Sequence, residues 1–195
     1  MCVWNQSASA SDLVCGTGFA DLADDTKLPP PQPRRIRSTV MNVQKYLMEK
    51  QVRYEVISHN ATYDAQRMSQ TMHISGHHVA KTVLLRTPAG FAVAVLPATN
   101  VVDLPAAAEA LTVSTAELAT EQELAQHCPD CELGALPPFG SQYQMQTLVD
   151  EKLAEDDDIV FEGTTHNEAI KMKFGDFSNL EKPIFAQICV PGVTH

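Results

Sequence analysis

The chain has 195 residues, of which 44 % are hydrophobic and 19 % charged, so it is long enough to bury a core and is unlike a disordered protein. Its formal net charge of −10 disfavours broad contact with a phosphate backbone, so any nucleic-acid partner would have to be held locally, at one end or one nucleotide. No stretch approaches the roughly 20 apolar residues of a membrane helix, and the N-terminus lacks the basic and apolar regions of a signal peptide. We therefore expect a cytoplasmic protein without membrane association.

The N-terminal part of the chain differs in composition from the rest. Small and polar residues lead into Leu28–Arg35, a segment with four prolines that favours an extended polyproline II spacer. We expect residues 1–37 to be a flexible, proline-rich extension and residues 38–195 to form one compact domain.

The first half of this domain shows both helical and strand periodicity. Apolar residues on one face predict a helix over 39–50, for which Ser38 is a possible cap. Alternation predicts a short strand over 52–56. Thr62 is a candidate cap for a second helix, which Gly76 would end.

Helices and strands continue to interleave beyond this point. The apolar runs 82–86 and 91–96 flank a Thr-Pro-Ala-Gly turn and predict a hairpin. The remaining predicted elements are a helix over 105–111, two short helices after capping boxes at Ser114 and Thr120, strands over 146–149, 159–161 and 170–174, and a short helix over 177–180. The predicted fold class is α+β, with a single compact domain in which helices flank one mixed, mostly antiparallel sheet.

Lys81 is the first candidate for a functional side chain. It begins the apolar run Lys81–Leu85, and burying an ammonium without a partner is costly. An isolated lysine at the start of a strand more often lays its stem on the core and keeps its charge in water. A ligand contact is the alternative.

A proline-rich loop about fifty residues later is the second candidate. In Gly134–Gly140 two prolines fix φ and remove two amide donors, while the glycines allow close backbone approach. The amides of residues 134–136 could then face a carboxylate, hydroxyl or phosphate. The alternative is an ordinary surface turn.

His166 lies in a loop between two predicted strands. A histidine there could orient a water or a ribose hydroxyl, or it could simply be exposed. The chain has no GxSxG, P-loop, GxGxxG or HExxH motif, so the corresponding hydrolase and nucleotide-binding classes have no support.

The cysteines do not suggest a disulfide framework. There are five, an odd number, and they are spread unevenly, which favours reduced thiols. The CxxC pair Cys128 and Cys131 would need a second half, for instance His73 and His77, to complete a zinc site. We expect two reduced thiols in a surface turn and no metal.

Three segments together resemble a known family. Lys81–Leu85, Gly134–Gly140 and Gly163–Met172 look like the YbaK/prolyl-tRNA-synthetase-associated domain family, which comprises trans-editing aminoacyl-tRNA deacylases and includes the freestanding ProXp-type proteins. The resemblance runs from about Met41 to about Leu180. Its most specific element is a Lys-Thr strand paired with a Gly-x-x-x-Pro loop, here Gly134–Pro138.

The resemblance implies hydrolysis of the ester that joins a wrong amino acid to the terminal adenosine of a tRNA. No enzyme nucleophile is expected in this family, because a water assisted by the substrate's own ribose hydroxyl is thought to attack. Lys81 would be the main electrostatic contact and Gly134–Pro138 the wall of the aminoacyl pocket. The implied partners are the acceptor end of a mischarged tRNA and an aminoacyl-tRNA synthetase, with no cofactor, and the protein would be a monomer or weak dimer.

The implicated residues fall into two groups. The catalytic group consists of Lys81, Gly134, Pro138 and His166. The substrate-binding group consists of Thr82, Ala135, Leu136, Pro137, His59 and Gly163. Leu136 and Met68 would contribute to pocket volume and so to the choice of amino acid, although one methylene is worth only roughly 1–3 kcal/mol.

The chain departs from the family pattern at two places. Some relatives have Ser-Gly-Gly where this chain has Glu162-Gly163-Thr164, and an aspartate of some relatives corresponds to Ala169. The departures and the acidity leave open a noncatalytic module on the same fold that binds tRNA ends, synthetases or a free amino acid. A metal-dependent protein built around Cys128 and Cys131 is a third hypothesis.

Overall fold

The computed structural model describes residues 42–58 and 78–192. All of these belong to the compact unit Ser38–His195, and the other unit of the chain, Met1–Arg37, lies outside the described residues. The helix predicted to follow Thr62 also lies outside them.

The described residues form an α+β structure. In chain order its helices and strands are α1 (Val43–Glu49), β1 (Tyr54–Ser58), β2 (Ala80–Thr87), β3 (Gly90–Pro97), β4 (Asn100–Val102), α2 (Leu104–Ala110), β5 (Glu117–Leu118), α3 (Glu121–His127), β6 (Gln146–Asp150), β7 (Asp158–Glu162), β8 (Glu168–Lys173), α4 (Phe174–Glu181), β9 (Ile184–Ala186) and β10 (Cys189–Pro191). Two short 3₁₀ helices, Gly140–Tyr143 and Glu151–Glu155, flank β6.

The strands lie in three hydrogen-bonded sheets rather than in the single sheet expected. A five-stranded sheet has the order β5-β2-β3-β6-β9, a three-stranded antiparallel sheet has the order β1-β8-β7, and β10 pairs with β4. The five-stranded sheet is mixed, because β3, β6 and β9 run parallel while the β2–β3 hairpin is antiparallel. A parallel bridge between Val79 and Val160 joins the large sheet to the three-stranded one. The predicted α+β class is confirmed.

The core lies on both faces of β3, the central strand of the five-stranded sheet. Val93 and Val95 belong to the main cluster, which also contains Leu136 and Phe139, whereas Ala94 points to the opposite face. Because Ala92–Leu96 is almost completely inaccessible to water, this strand reads as an uninterrupted apolar run.

Two capping boxes with the same sequence pattern have different outcomes. At Thr120 the box forms, since the Thr120 hydroxyl accepts from the Glu123 amide at 3.2 Å and the Glu123 carboxylate accepts from the Thr120 amide at 2.8 Å. The helix predicted after Ser114 is wrong. Instead Glu117–Leu118 pairs with the edge of β2, and this non-local pairing prevails over the local helical signal.

Other element boundaries also differ from prediction. Asn42 caps α1 by accepting from the Lys45 amide at 2.8 Å. The predicted strand over 170–174 ends one residue early, because α4 begins at Phe174. β9 and β10 were not predicted, since each is three residues long and exists through pairing with a distant strand.

Candidate functional site

Aromatic packing anchors the proline loop. Phe139 is fully buried, and its ring contacts those of Phe161 and Phe177 edge to face, with centroids 5.6 Å apart in both pairs. The ring of Tyr46, on α1, also contacts Phe139 edge to face, with centroids 5.3 Å apart. Edge-to-face contacts of this kind are favourable beyond simple burial. The C-terminal end of the loop is therefore firmly held.

Gly140 is required by packing against the protein's own sheet. A Cβ at this position would lie 2.5 Å from the Thr147 Oγ1 atom and 3.2 Å from the Met145 carbonyl oxygen. The Gly140 amide donates to the Thr147 hydroxyl at 3.2 Å, and this hydroxyl in turn donates to the buried carboxylate of Glu181. The close approach of Gly140 to β6 is therefore explained by packing within the protein.

The N-terminal end of the loop is joined to the β7–β8 loop through His166. The His166 Nε2 atom lies 2.8 Å from the Leu133 carbonyl oxygen, and Nδ1 lies 3.2 Å from Oε1 of Glu162. Gly134 lies against the imidazole, because a Cβ built on it would be 3.3 Å from His166 Cε1. The structure thereby brings together two segments named from the sequence.

Both ring nitrogens of His166 face acceptors, and a neutral imidazole can donate from only one nitrogen. Burial lowers the pKa of His166, but the Leu133 carbonyl, the Glu162 carboxylate and the charge of Glu132 outweigh it, so that its pKa lies above the ordinary value. The arrangement favours an imidazolium that ties the loops together. It does not favour a base that accepts a proton from water.

Backbone strain is present in the same place. Thr164 has a φ of +85°, a conformation that is unfavourable for a β-branched residue and costs about 1–3 kcal/mol. Its carbonyl accepts from the Glu132 amide at 3.1 Å. Gly134, with a φ of +95°, takes a related conformation at no steric cost.

Two amides of the proline loop have no hydrogen-bond acceptor in the part of the chain that the structure describes. The Ala135 amide is used, since it donates to the Glu132 carbonyl at 2.9 Å. The amides of Gly134 and Leu136 donate no hydrogen bond to any residue that the structure describes. Buried backbone donors normally have a partner, so the amide of the buried Leu136 calls for an acceptor atom, whereas the amide of the exposed Gly134 can bond water or a ligand.

The side chains of the loop face inwards. Ala135 is completely buried and Leu136 is 4 % exposed, with its side chain in the main core cluster. Pro137 and Pro138 are buried as well. What this loop offers to a ligand is therefore chiefly main chain, and the core position of Leu136 limits how it can shape a pocket.

Lys81 lies where β2 meets the end of β7. Val79 and Val160 form a parallel bridge, and Lys81 and Glu162 each come two residues later in the same direction. Side chains two residues apart on a strand share a face, so Lys81 and Glu162 continue the stripe that Val79 and Val160 begin. This register places Lys81 at the end of the sheet where Glu162 contacts His166.

Thr82 lies on the other face of β2, with Ala80 and Leu84. Its hydroxyl oxygen is buried and has no hydrogen-bond partner among the residues that the structure covers. An unsatisfied buried hydroxyl costs about 1–3 kcal/mol, so its presence needs an explanation.

The sequence did not identify every member of the site. The sequence marks Glu162 only as a departure from the family pattern, and Glu132 carries no sequence signal of its own. The available signal was the spacing of Glu162, a carboxylate at a strand end four residues before His166. Gly163, a predicted substrate contact, donates to the Glu168 carbonyl at 2.9 Å and closes the β7–β8 turn. His59 and Met68 lie outside the described residues.

The CxxC pair immediately precedes Glu132 in the sequence, and both of its cysteines are protonated and so weakly nucleophilic. Burial raises the pKa of Cys128 to about 12 and that of Cys131 to about 11, so both are thiols at neutral pH. The Cys131 sulfur lies 3.1 Å from the Tyr143 hydroxyl. Within residues 42–58 and 78–192 no three histidine, cysteine or acidic side chains are grouped to hold a metal, while His73 and His77 are outside these ranges.

None of the helices described here is long and apolar enough to cross a membrane.

Solved structures with the same fold are known. The hypothetical protein APE2540 superposes with a TM-score of 0.71 at 14 % identity, covering 77 % of this chain and all of that one. A candidate trans-editing enzyme for prolyl-tRNA synthetase gives 0.67 at 18 % identity, covering 75 % of this chain and 94 % of that one. A candidate signal transduction protein from Marinobacter aquaeolei VT8 gives 0.59 at 19 % identity, covering 75 % of this chain but 30 % of that one.

The family comparison covers most of the domain. No significant match was found among curated proteins. The family model of the aminoacyl-tRNA editing domain matches residues 59–180, a range that contains the Lys-Thr strand, the proline loop and His166. This chain belongs to the aminoacyl-tRNA editing domain family.

Proposed function

We propose that the protein is a trans-editing deacylase that hydrolyses the ester bond of a mischarged tRNA. Membership of the editing family supports the reaction class, and one of the fold relatives is a candidate trans-editing enzyme for prolyl-tRNA synthetase. The observation that carries the proposal is the pair of available amides at Gly134 and Leu136, beside the end of the sheet that bears Lys81.

The chemistry needs no enzyme nucleophile. A water oxygen adds to the ester carbonyl carbon, the bond to the ribose oxygen breaks, and that oxygen leaves with a proton. The products are the amino acid and a tRNA with a terminal hydroxyl. An aminoacyl ester is already activated, so positioning the water and stabilising the oxyanion supply much of the rate enhancement.

Each part of the site has a role in this reaction. The Gly134 and Leu136 amides donate to the carbonyl oxygen as it becomes negative. The ammonium of Lys81 holds the negatively charged tRNA terminus. Because both nitrogens of His166 face protein acceptors, proton transfer falls to the ribose hydroxyl of the substrate. His166 holds the loop in place.

Thr82 supplies a further contact in this proposal. A substrate polar group that bonds its buried hydroxyl would satisfy the one unpartnered side-chain atom found in the described core. The hydroxyl therefore contributes to binding at some cost to the stability of the empty protein.

The deciding experiment is a deacylation screen against tRNAs charged with small noncognate amino acids. We expect hydrolysis of at least one, and in Lys81→Ala a loss on the order of 100-fold, typical of removing one electrostatic contact, with an unchanged unfolding midpoint. Lys173→Ala removes an exposed lysine of the same charge and is the matched control. Normal turnover in folded Lys81→Ala would remove Lys81 from the mechanism.

A noncatalytic binding module is the second candidate. The family resemblance places Ala169 where some relatives have an aspartate, and the fold also matches 30 % of a larger candidate signal transduction protein. Tight binding of a charged tRNA or a free amino acid without hydrolysis anywhere in the panel would favour this function.

A further inference from the structure

Glu132 lies at the junction of the two loops, two residues before Gly134, and makes three hydrogen bonds there. Its amide donates to the Thr164 carbonyl at 3.1 Å, and its carbonyl accepts from the Ala135 amide at 2.9 Å. Its carboxylate accepts from the His166 amide at 2.8 Å. Main chain and side chain thus act on both segments, although Glu132 itself is exposed.

The direction of the Gly134 amide is set by the peptide bond that joins it to Leu133. The Leu133 carbonyl points at the His166 Nε2 atom. A trans peptide is planar, and its N–H points opposite to its C=O, so the Gly134 N–H is directed away from the imidazole. Any shift of His166 would rotate this peptide plane and with it the donor.

The carboxylate of Glu132 holds His166 by its main chain, while Glu162 holds the ring from the other side through Nδ1. Glu162 is 6 % exposed and belongs to β7, so it forms a fixed wall. Glu132 instead lies on the loop that carries the amide donors. It is therefore the group that transmits the position of His166 to Gly134.

We propose that Glu132 is a positioning residue for deacylation, since it ties the β7–β8 loop to the proline loop and so aims the Gly134 amide at the substrate carbonyl. This inference rests on the proposed function only for its kinetic consequence. The coupling of the two loops is a property of the substrate-free protein.

The test compares Glu132→Ala with Glu132→Gln, whose side-chain oxygen can still accept from the His166 amide. Glu155→Ala removes another exposed glutamate and is the control. In Glu132→Ala we expect hydrogen exchange at the His166 amide to accelerate about tenfold or more, kcat to fall about tenfold, and KM to stay within about twofold. Glu132→Gln should restore most of both values, and Glu155→Ala should change neither.

Two outcomes would overturn the proposal: unchanged exchange at His166 in Glu132→Ala, or a Glu132→Gln protein as defective as Glu132→Ala in both measurements. If the wild-type protein hydrolyses none of the charged tRNAs, the deacylase function fails. The exchange measurements still decide in that case whether Glu132 couples the two loops.

Discussion

At the scale of single residues, a substitution at Thr82 distinguishes a side chain that binds substrate from one that stabilises the fold. Thr82→Val removes a buried hydroxyl that has no partner in the described structure, so the free energy of unfolding should rise by about 1 kcal/mol. If the hydroxyl binds substrate, kcat/KM for deacylation should fall at the same time. Urea unfolding and steady-state kinetics measure the two effects.

Thr147→Val is the matched control for this change. The Thr147 hydroxyl accepts from Gly140 and donates to Glu181, so its removal should destabilise the protein. Loss of stability in Thr82→Val would show that its hydroxyl contributes to the fold.

His166 predicts a pH dependence with a definite sign. Its pKa is raised in the folded protein, so the stability contributed by the charged form is fully present below the unfolded value of about 6.5 and is lost as pH rises through the folded pKa. His166→Gln should therefore cost about 2 kcal/mol near pH 6 and less near pH 9. Urea unfolding at both pH values tests this, with His127→Gln, an exposed histidine, as the control. If the loss of stability in His166→Gln grows with pH, a charged His166 does not stabilise the contact between the two loops.

At the scale of elements, the proline loop depends on how closely it approaches β6. Gly140→Ala places a Cβ 2.5 Å from the Thr147 hydroxyl and 3.2 Å from the Val93 Cβ, and such overpacking costs about 1–3 kcal/mol. The displaced loop should also deacylate more slowly. Thermal or urea unfolding and the deacylation assay measure the two losses.

Gly175→Ala provides a comparison with the opposite sign. No described atom lies within 4 Å of a Cβ at Gly175, which is in α4, so alanine there should stabilise the protein by about 0.5–1 kcal/mol. Equal effects at the two glycines would contradict the packing explanation.

At the scale of the whole molecule, the net charge limits how tRNA is held. With a formal charge of −10 we expect only one or two phosphates at the acceptor end to be neutralised. The logarithm of the association constant should then fall with the logarithm of salt concentration with a slope between about −0.7 and −2. Binding titrations across salt concentrations measure it, and a slope of about −5 or steeper would show broad contact with the tRNA body. The ester of an aminoacylated acceptor-stem minihelix should be hydrolysed nearly as fast as that of the full aminoacyl-tRNA.

How well the fold could be predicted depended on how local each signal was. The β2–β3 hairpin was predicted because its strands and turn are contiguous, and α3 because Thr120 and Glu123 bond to each other. Ser114 carries the same local signal, but Glu117–Leu118 pairs with the edge of β2 instead.

The same distinction applies to the candidate site. Lys81, the proline loop and His166 could each be identified from residue type and context. The junction between the proline loop and the loop of His166 could not, since it includes a hydrogen bond from His166 to Glu132, which lies 34 positions away. The raised pKa of His166 also depends on the Leu133 carbonyl, an acceptor 33 positions away that no local pattern reveals.

From its sequence alone, this protein's fold class, its family resemblance and most of its short-range elements could be determined, because these follow from periodicity and from motifs of a few residues. Only the tertiary structure decided that the described strands separate into three sheets, that two loop amides have no acceptor among the described residues, and that both ring nitrogens of His166 face acceptors. The physical reason is that each of these depends on which distant groups meet, and long-range pairing sets the hydrogen-bond partners and local electric fields that determine the chemistry of a side chain.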